Sequence, residues 1–161
     1  MVTAVTTRVG RSAGSHAGRV HLVYTDESPG ESGDTDILVR RSDDEGASWS
    51  APVRVNDDRT RNAQFNPQVE VERTTGIVGV GFHDARRDAG TGGVGDTNGV
   101  PKDDAMYCAA VSRDGGAAFG ANVPVSAGAS NAAASNNGVQ YGDYTRMAFQ
   151  PGVLRPAWAM T

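Results

Sequence analysis

The feature that most constrains the fold is an eight-residue stretch that occurs twice. Ser42-Asp43-Asp44-Glu45-Gly46-Ala47-Ser48-Trp49 returns seventy positions later as Ser112-Arg113-Asp114-Gly115-Gly116-Ala117-Ala118-Phe119. Both read Ser, a gap, Asp, a gap, Gly, two residues, then an aromatic ring. A short Asp carboxylate can accept N–H groups of its own turn, and Gly46 and Gly116 can take positive φ without a Cβ penalty. Ser42 and Ser112 add hydroxyl anchors, and the octet reads as a hairpin turn whose ring, Trp49 or Phe119, folds back to bury against the outer strands. One such turn is an ordinary Asp/Gly hairpin; two in matching context predict a structural repeat.

The flanking residues carry the same period. Thr3 to Val9, Arg19 to Asp26, Ile37 to Arg40 and Pro52 to Val55 read as four short strands, and the order restarts with Pro67 to Glu72, Ile77 to Asp84, Asp104 to Val111 and Asn122 to Val125. Tyr24-Thr25-Asp26 is echoed by Phe82-His83-Asp84, and Gly79 and Gly81 predict crowding against neighbouring strands. A third unit begins with Thr145 to Gln150 and Val153 to Met160. Four-stranded antiparallel units at this period predict an all-β chain built of propeller blades: one over about 1–56, one over about 66–126, and the inner half of another over about 144–161. Closed rings need about four to eight blades, so the expectation is one partial domain over 1–161, completed by the remaining blades of a longer chain or by other copies.

Composition fits this class and excludes others. Among 161 residues there are 21 glycines, a net charge of −4 and no basic cluster with interleaved aromatics, which argues against a nucleic-acid partner. No apolar run is long enough for a membrane span, and no signal peptide is recognisable at the N-terminus. Cys108 lies in an apolar strand and reads as a small buried hydrophobe.

The octets resemble the Asp-box, or bacterial neuraminidase repeat, Ser-x-Asp-x-Gly-x-x-Trp. The first copy matches at every defined position and the second has Phe119 in place of Trp. The layout, including Phe82-His83-Asp84-Ala85-Arg86 and Tyr141-Gly142-Asp143-Tyr144, is similar to bacterial sialidase-like six-bladed propellers. That resemblance implies a glycoside hydrolase acting on terminal sugars outside the cell or in an envelope compartment, with carbohydrate as partner. Catalysis in that family is implied to use an arginine triad, a Tyr nucleophile with its Glu, and an Asp acid/base. The family's Arg-Ile-Pro opening is absent here, so the triad is not assigned. The alternative is a non-catalytic module of the same fold that binds carbohydrate or protein.

Strand alternation separates the two ends of each unit. Both octets lie at one end, which makes Ser42, Asp44, Gly46, Trp49, Ser112, Asp114, Gly116 and Phe119 structural. The loops after Asp26 and Asp84 lie at the other end, with the connections 56–66 and 126–144, and the resemblance places substrate there. The loop from Ala85 to Asp103 is the longer of the two, as functional loops often are. Arg86, Arg87 and Asp88 leave the strand together, so a guanidinium could grip a carboxylate or a hydroxyl pair while Asp84 or Asp88 acts as acid or base. A structural Asp84–Arg86 pair is the competing reading. Tyr144, Asp84 and Arg86 are the candidate catalytic set, and Asp26, Arg87, Asp88, Tyr141 and Asp143 are candidate substrate-binding residues; a sugar-binding or packed ring competes with the tyrosine nucleophile, because no Glu follows at short range to act as its base. No cofactor is assigned, although Asp88, Asp96, Asn98, Asp103 and Asp104 could supply oxygen ligands for Ca2+. His16, His21 and His83 show no metal-ligand spacing.

Overall fold

The computed structural model describes residues 5–9, by backbone alone, and 16–27, 34–90, 99–135, 141–142 and 144–160. It is all-β: the described residues contain eleven strands and one 3-10 turn, all strand pairs being antiparallel. The first sheet is a meander of β1 (Val5–Val9), β2 (Val20–Glu27), β3 (Thr35–Ser42) and β4 (Val53–Arg54). The second repeats it with β5 (Gln64–Val71), β6 (Val78–Asp84), β7 (Asp104–Ser112) and β8 (Val123–Pro124). Beyond them β9 (Ser130–Asn131) pairs with the start of β7, and β10 (Arg146–Gln150) with β11 (Val153–Ala157) forms a two-stranded ribbon. The described residues do not close a ring.

The two meanders repeat in register as well as in order. The octet serine faces the first residue of the second strand in each sheet, Ser42 opposite Val20 and Ser112 opposite Val78. Leu38 pairs with Arg54 and Val39 with Val53; seventy positions on, Cys108 pairs with Pro124 and Ala109 with Val123. Side-chain bonds follow the same spacing. Asn56 Oδ1 accepts the Ile37 N–H at 2.9 Å, and Ser126 Oγ accepts the Tyr107 N–H at 3.0 Å. These bonds satisfy a buried backbone donor where the fourth strand leaves the third, which would be costly to leave bare.

The octets fold as their residues dictate. In the first, Ser42 Oγ–H donates to Asp44 Oδ1 at 2.7 Å and accepts the Gly46 N–H at 2.8 Å, while the Ser48 N–H reaches Asp44 Oδ1 at 2.8 Å. In the second, Ser112 Oγ–H donates to Asp114 Oδ1 at 2.7 Å and accepts the Gly116 N–H at 2.8 Å, while the Ala117 and Ala118 N–H groups reach Asp114 Oδ1 at 2.9 and 3.0 Å. Gly46 and Gly116 lie at φ 96° and 88°. Hydrogen bonds from Ser48 and Ser42 pull the Asp44 carboxyl down to about 2.

One expectation is corrected. Phe119 packs against the core, but Trp49 stays 37% exposed. Its ring lies over Gly46, within van der Waals reach of where a Cβ would stand, and that floor is too small to cover an indole. The second octet, by contrast, is wedged onto the first sheet. The Gly115 carbonyl accepts Arg19 Nη1 at 3.0 Å and lies 3.1 Å from His21 Nε2, and the Gly116 carbonyl accepts Arg41 Nη1 at 3.1 Å.

The core runs through both meanders: Val23, Ile37, Val39, Val55, Val69, Val71, Val78, Val80, Phe82, Cys108 and Ala110 form one buried cluster. β6 is buried along its whole length, as a strand covered on both faces must be. A Cβ on Gly79 would come within 2.7 Å of Leu154, so the missing side chain lets the β10–β11 ribbon sit close.

Candidate functional site

The end of the second meander opposite its octet gathers most of the expected residues. Asp84 closes β6 with its side chain fully buried, and its Oδ2 accepts Arg86 Nε at 2.7 Å. Its Oδ1 accepts the Arg86 N–H at 2.9 Å and Gln64 Nε2 at 3.3 Å. Arg86 is engaged on its other nitrogens too: Nη1 donates to Asp57 Oδ1 at 2.6 Å and Nη2 to Asn122 Oδ1 at 2.5 Å. Burial alone would raise the Asp57 carboxyl, but the Asn122 N–H and the Arg86 guanidinium hold it below the usual range. Asp84 and Arg86 therefore form an internal brace that ties β6 to the segment after β4 and to the residue before β8.

Arg87 takes no part in that brace. It is exposed, and no carboxylate pairs with it among the described residues. It lines two adjoining hollows. One, of about 110 Å³, is bounded by Asp84, Arg86, Met106, Cys108, Asn122 and Pro124. The other, of about 270 Å³, is bounded by Asp84, Asp88, Asp104, Met106 and the backbone corner Ala127-Gly128-Ala129. The larger approaches the lower end of small-molecule sites.

The acidic side of this hollow is held by its own loop. Asp88 accepts the Gly90 N–H at 2.5 Å and the Asp104 N–H at 2.6 Å, which stitches the start of the 85–103 loop to the strand that follows it. Gly90 lies against Pro101 so closely that a Cβ would overlap its carbonyl, which pinches the loop at its base. Asn131, at the end of β9, donates from Nδ2 to Asp104 Oδ1 at 2.9 Å. One carboxylate oxygen each of Asp88, Asp103 and Asp104 lie within 4.8 Å of one another. Ca2+ takes six to eight oxygens, so these three would fill only part of its shell, and Asp88 already accepts two backbone N–H groups. Asp96 and Asn98, the other candidate ligands, lie outside the described residues, as does Asp143.

The two tyrosines part company. Tyr141 comes to the acids: its hydroxyl donates to the Asp103 carbonyl, and its ring packs on Phe65 and His83 at centroid distances of 5.0 and 5.4 Å. Burial, reinforced by Asp103, Asp104 and Asp88, pushes its hydroxyl up to about 12, opposite to what a nucleophilic phenolate needs. Tyr144, the candidate catalytic tyrosine, is 79% exposed and borders neither hollow. Asp26, one residue before the end of β2, holds the equivalent place in the first meander, where its carboxylate accepts the Glu27 N–H at 3.0 Å.

His83 is a packing residue. It is buried, stacks on Phe65 at 5.1 Å, and meets the edge of Tyr107, which itself stacks on Trp158 at 4.7 Å. Burial pushes the imidazole down to about 4, with a backbone contact from Ala159 offsetting part of the effect. Cys108 is also buried, and burial, then the neighbouring Asp84 carboxylate, pushes its thiol up to about 12, so it is an inert thiol.

Sequence reading missed Asp57, Asn122, Met106 and the 127–129 corner. Asp57 follows Asn56 in a polar connection, and Asn122 precedes β8, but only the fold brings them to Arg86, 29 and 36 residues away. No protein-family model and no curated protein matches the chain.

Proposed function

We propose that the chain is part of a sialidase-like β-propeller and that the hollow beside Arg87 binds carbohydrate. Two features support the propeller: the seventy-residue repeat of pairing and side-chain bonds, and the position of β5, which lies against the first sheet's β1, β2 and β3 and also against β10. The observation that carries the binding reading is Arg87 itself. A guanidinium with no carboxylate partner among the described residues lines a hollow of about 270 Å³ whose other charged side chains are Asp84, Asp88 and Asp104. Guanidinium donors and carboxylate acceptors on one rim match the adjacent hydroxyls of a sugar, which both donate and accept. The sugars it binds lie outside the cell or in an envelope compartment.

Hydrolysis is the second reading. The closeness of the Asp88, Asp103 and Asp104 oxygens favours it, because glycoside hydrolysis commonly uses a pair of nearby carboxyl groups. Binding is preferred because Asp84 and Arg86 are engaged with each other and Tyr144 stands apart from the hollow. The test is an array of terminal glycans probed with the chain and with Arg87→Ala, alongside release of a fluorogenic sialoside. Glycan binding lost in Arg87→Ala, without turnover, is expected. Turnover would establish the hydrolase, and binding that is absent, or unchanged in Arg87→Ala, would overturn the site.

A further inference from the structure

The carbohydrate reading makes no use of the wedge between the first sheet and the second octet, where a histidine sits between two guanidinium groups. His21 is 1% exposed, on β2. Its Nε2 lies 3.1 Å from the Gly115 carbonyl, and because a carbonyl oxygen only accepts, Nε2 carries the proton. The other ring nitrogen, Nδ1, is buried with no hydrogen-bond partner among the described residues. The imidazole also lies flush on Gly116, where a Cβ would come within 3.1 Å of His21 Cδ2.

The neighbourhood is cationic. Arg19, two residues earlier in the chain, reaches the same Gly115 carbonyl, and Arg41 on β3, directly opposite His21 in the sheet, reaches the Gly116 carbonyl. His16 in the preceding turn also acts on the imidazole. On its other side β1 sets Arg8 opposite His21 in the register. Two octet carboxylates have other partners: Asp43 takes the fork of Arg19, and Asp114 accepts Ser112, Ala117 and Ala118. β5, which packs on β2, carries Glu70, and the residue after it, Glu72, is bound by Thr74 and Thr75.

We propose that this wedge is an acid-sensitive latch: when His21 takes up a second proton at Nδ1, the octet turn separates from the first sheet. The proton comes from solvent and leaves a buried imidazolium beside Arg19 and Arg41, with no acceptor at Nδ1. Opening the wedge lets water reach the charge. Burial, with the nearby Arg19, His16 and Arg41, lowers the proton affinity of the imidazole against the opposing pull of the Gly115 carbonyl, so the closed form resists protonation.

The test follows the Gly115 carbonyl carbon and the His21 ring nitrogens by NMR from pH 8 to 4.5, in the chain and in His21→Gln. A glutamine amide can donate to the same carbonyl but does not titrate. The expected result is an Nε2–H tautomer at pH 8 and a carbonyl shift toward its solvent-exposed value in step with imidazole protonation; His21→Gln shows no such shift. An Nδ1–H tautomer, protonation with the Gly115 carbonyl unmoved, or the same pH response in His21→Gln would each overturn the latch. The tautomer and the coupled shift are read in the unaltered chain, so the test survives if the variant does not fold.

Discussion

Arg19 donates from Nη1 to the carbonyl of Gly115, 96 residues away, at 3.0 Å. Its Nε and Nη2 meanwhile form a fork on Asp43 at 2.6 and 2.8 Å, so one guanidinium joins both octets. The Arg19 side chain is 11% exposed whereas Asp43 is 66% exposed. The stabilising share therefore lies on the Gly115 side, because an exposed ion pair is screened by water. Arg19→Met should lower stability by about 1–2 kcal/mol through the lost charged hydrogen bond, and Asp43→Asn should cost clearly less. Urea unfolding of both variants checks the order.

Glu45 and Gly115 hold the same place in the two octets, at φ 59° and 69°. A left-handed non-glycine residue costs about 1–2 kcal/mol, against about 0.5–1 kcal/mol for the extra unfolded-chain entropy of glycine. Glu45→Gly should therefore raise the unfolding midpoint slightly. Gly115→Ala should lower it more, since its Cβ would also stand 2.4 Å from His16 and 2.6 Å from Arg19.

His83 sets one limb of the pH profile. Its proton affinity in the fold is pushed down to about 4 from an ordinary 6.5, so the fold favours the neutral ring while the unfolded chain does not. Its contribution is complete above pH 6.5 and is lost as pH falls toward 4, by an amount on the order of 3 kcal/mol. His83→Phe keeps a ring against Phe65 and should flatten the stability profile between pH 6.5 and 4. Urea midpoints across that range measure it, and an unchanged slope would contradict the assignment.

Glu72 acts at lower pH. Bonds from Thr75 and Thr74 pull its carboxyl down to about 2 from 4.5, at the turn joining β5 to β6. Its stabilisation is present above pH 4.5 and lost as pH falls through about 2. Glu72→Gln should destabilise the chain at pH 7 and lose that acid limb, which thermal unfolding at pH 7, 4 and 2.5 would show.

The strands and octets were legible because local chemistry fixes them. Alternation places β2, β3, β6 and β7, and the Ser-x-Asp-x-Gly spacing dictates the turn bonds. The wedge was not legible, since nothing near Gly115 in the chain announces Arg19, His21 and Arg41. The same holds for the brace: Asp84 and Arg86 are neighbours, but Asp57 and Asn122 reach them only through the fold. Trp49 was misplaced because its period says nothing about what stands above it. The sequence does not separate Tyr144 from Tyr141, three residues earlier, whereas in the fold Tyr141 is the ring that the 85–103 loop draws in through the Asp103 carbonyl.

The central claim is that binding occurs at the Arg87 hollow and that the octets serve only the fold. Amide NMR titration of the chain with methyl glycosides of neutral, amino and acidic sugars tests it most directly. The account predicts shifts at Arg87, Asp88, Asp104 and Ala127 to Ala129, with residues 44–48 and 114–118 unmoved; shifts confined to the octets, or none with any sugar, would contradict it.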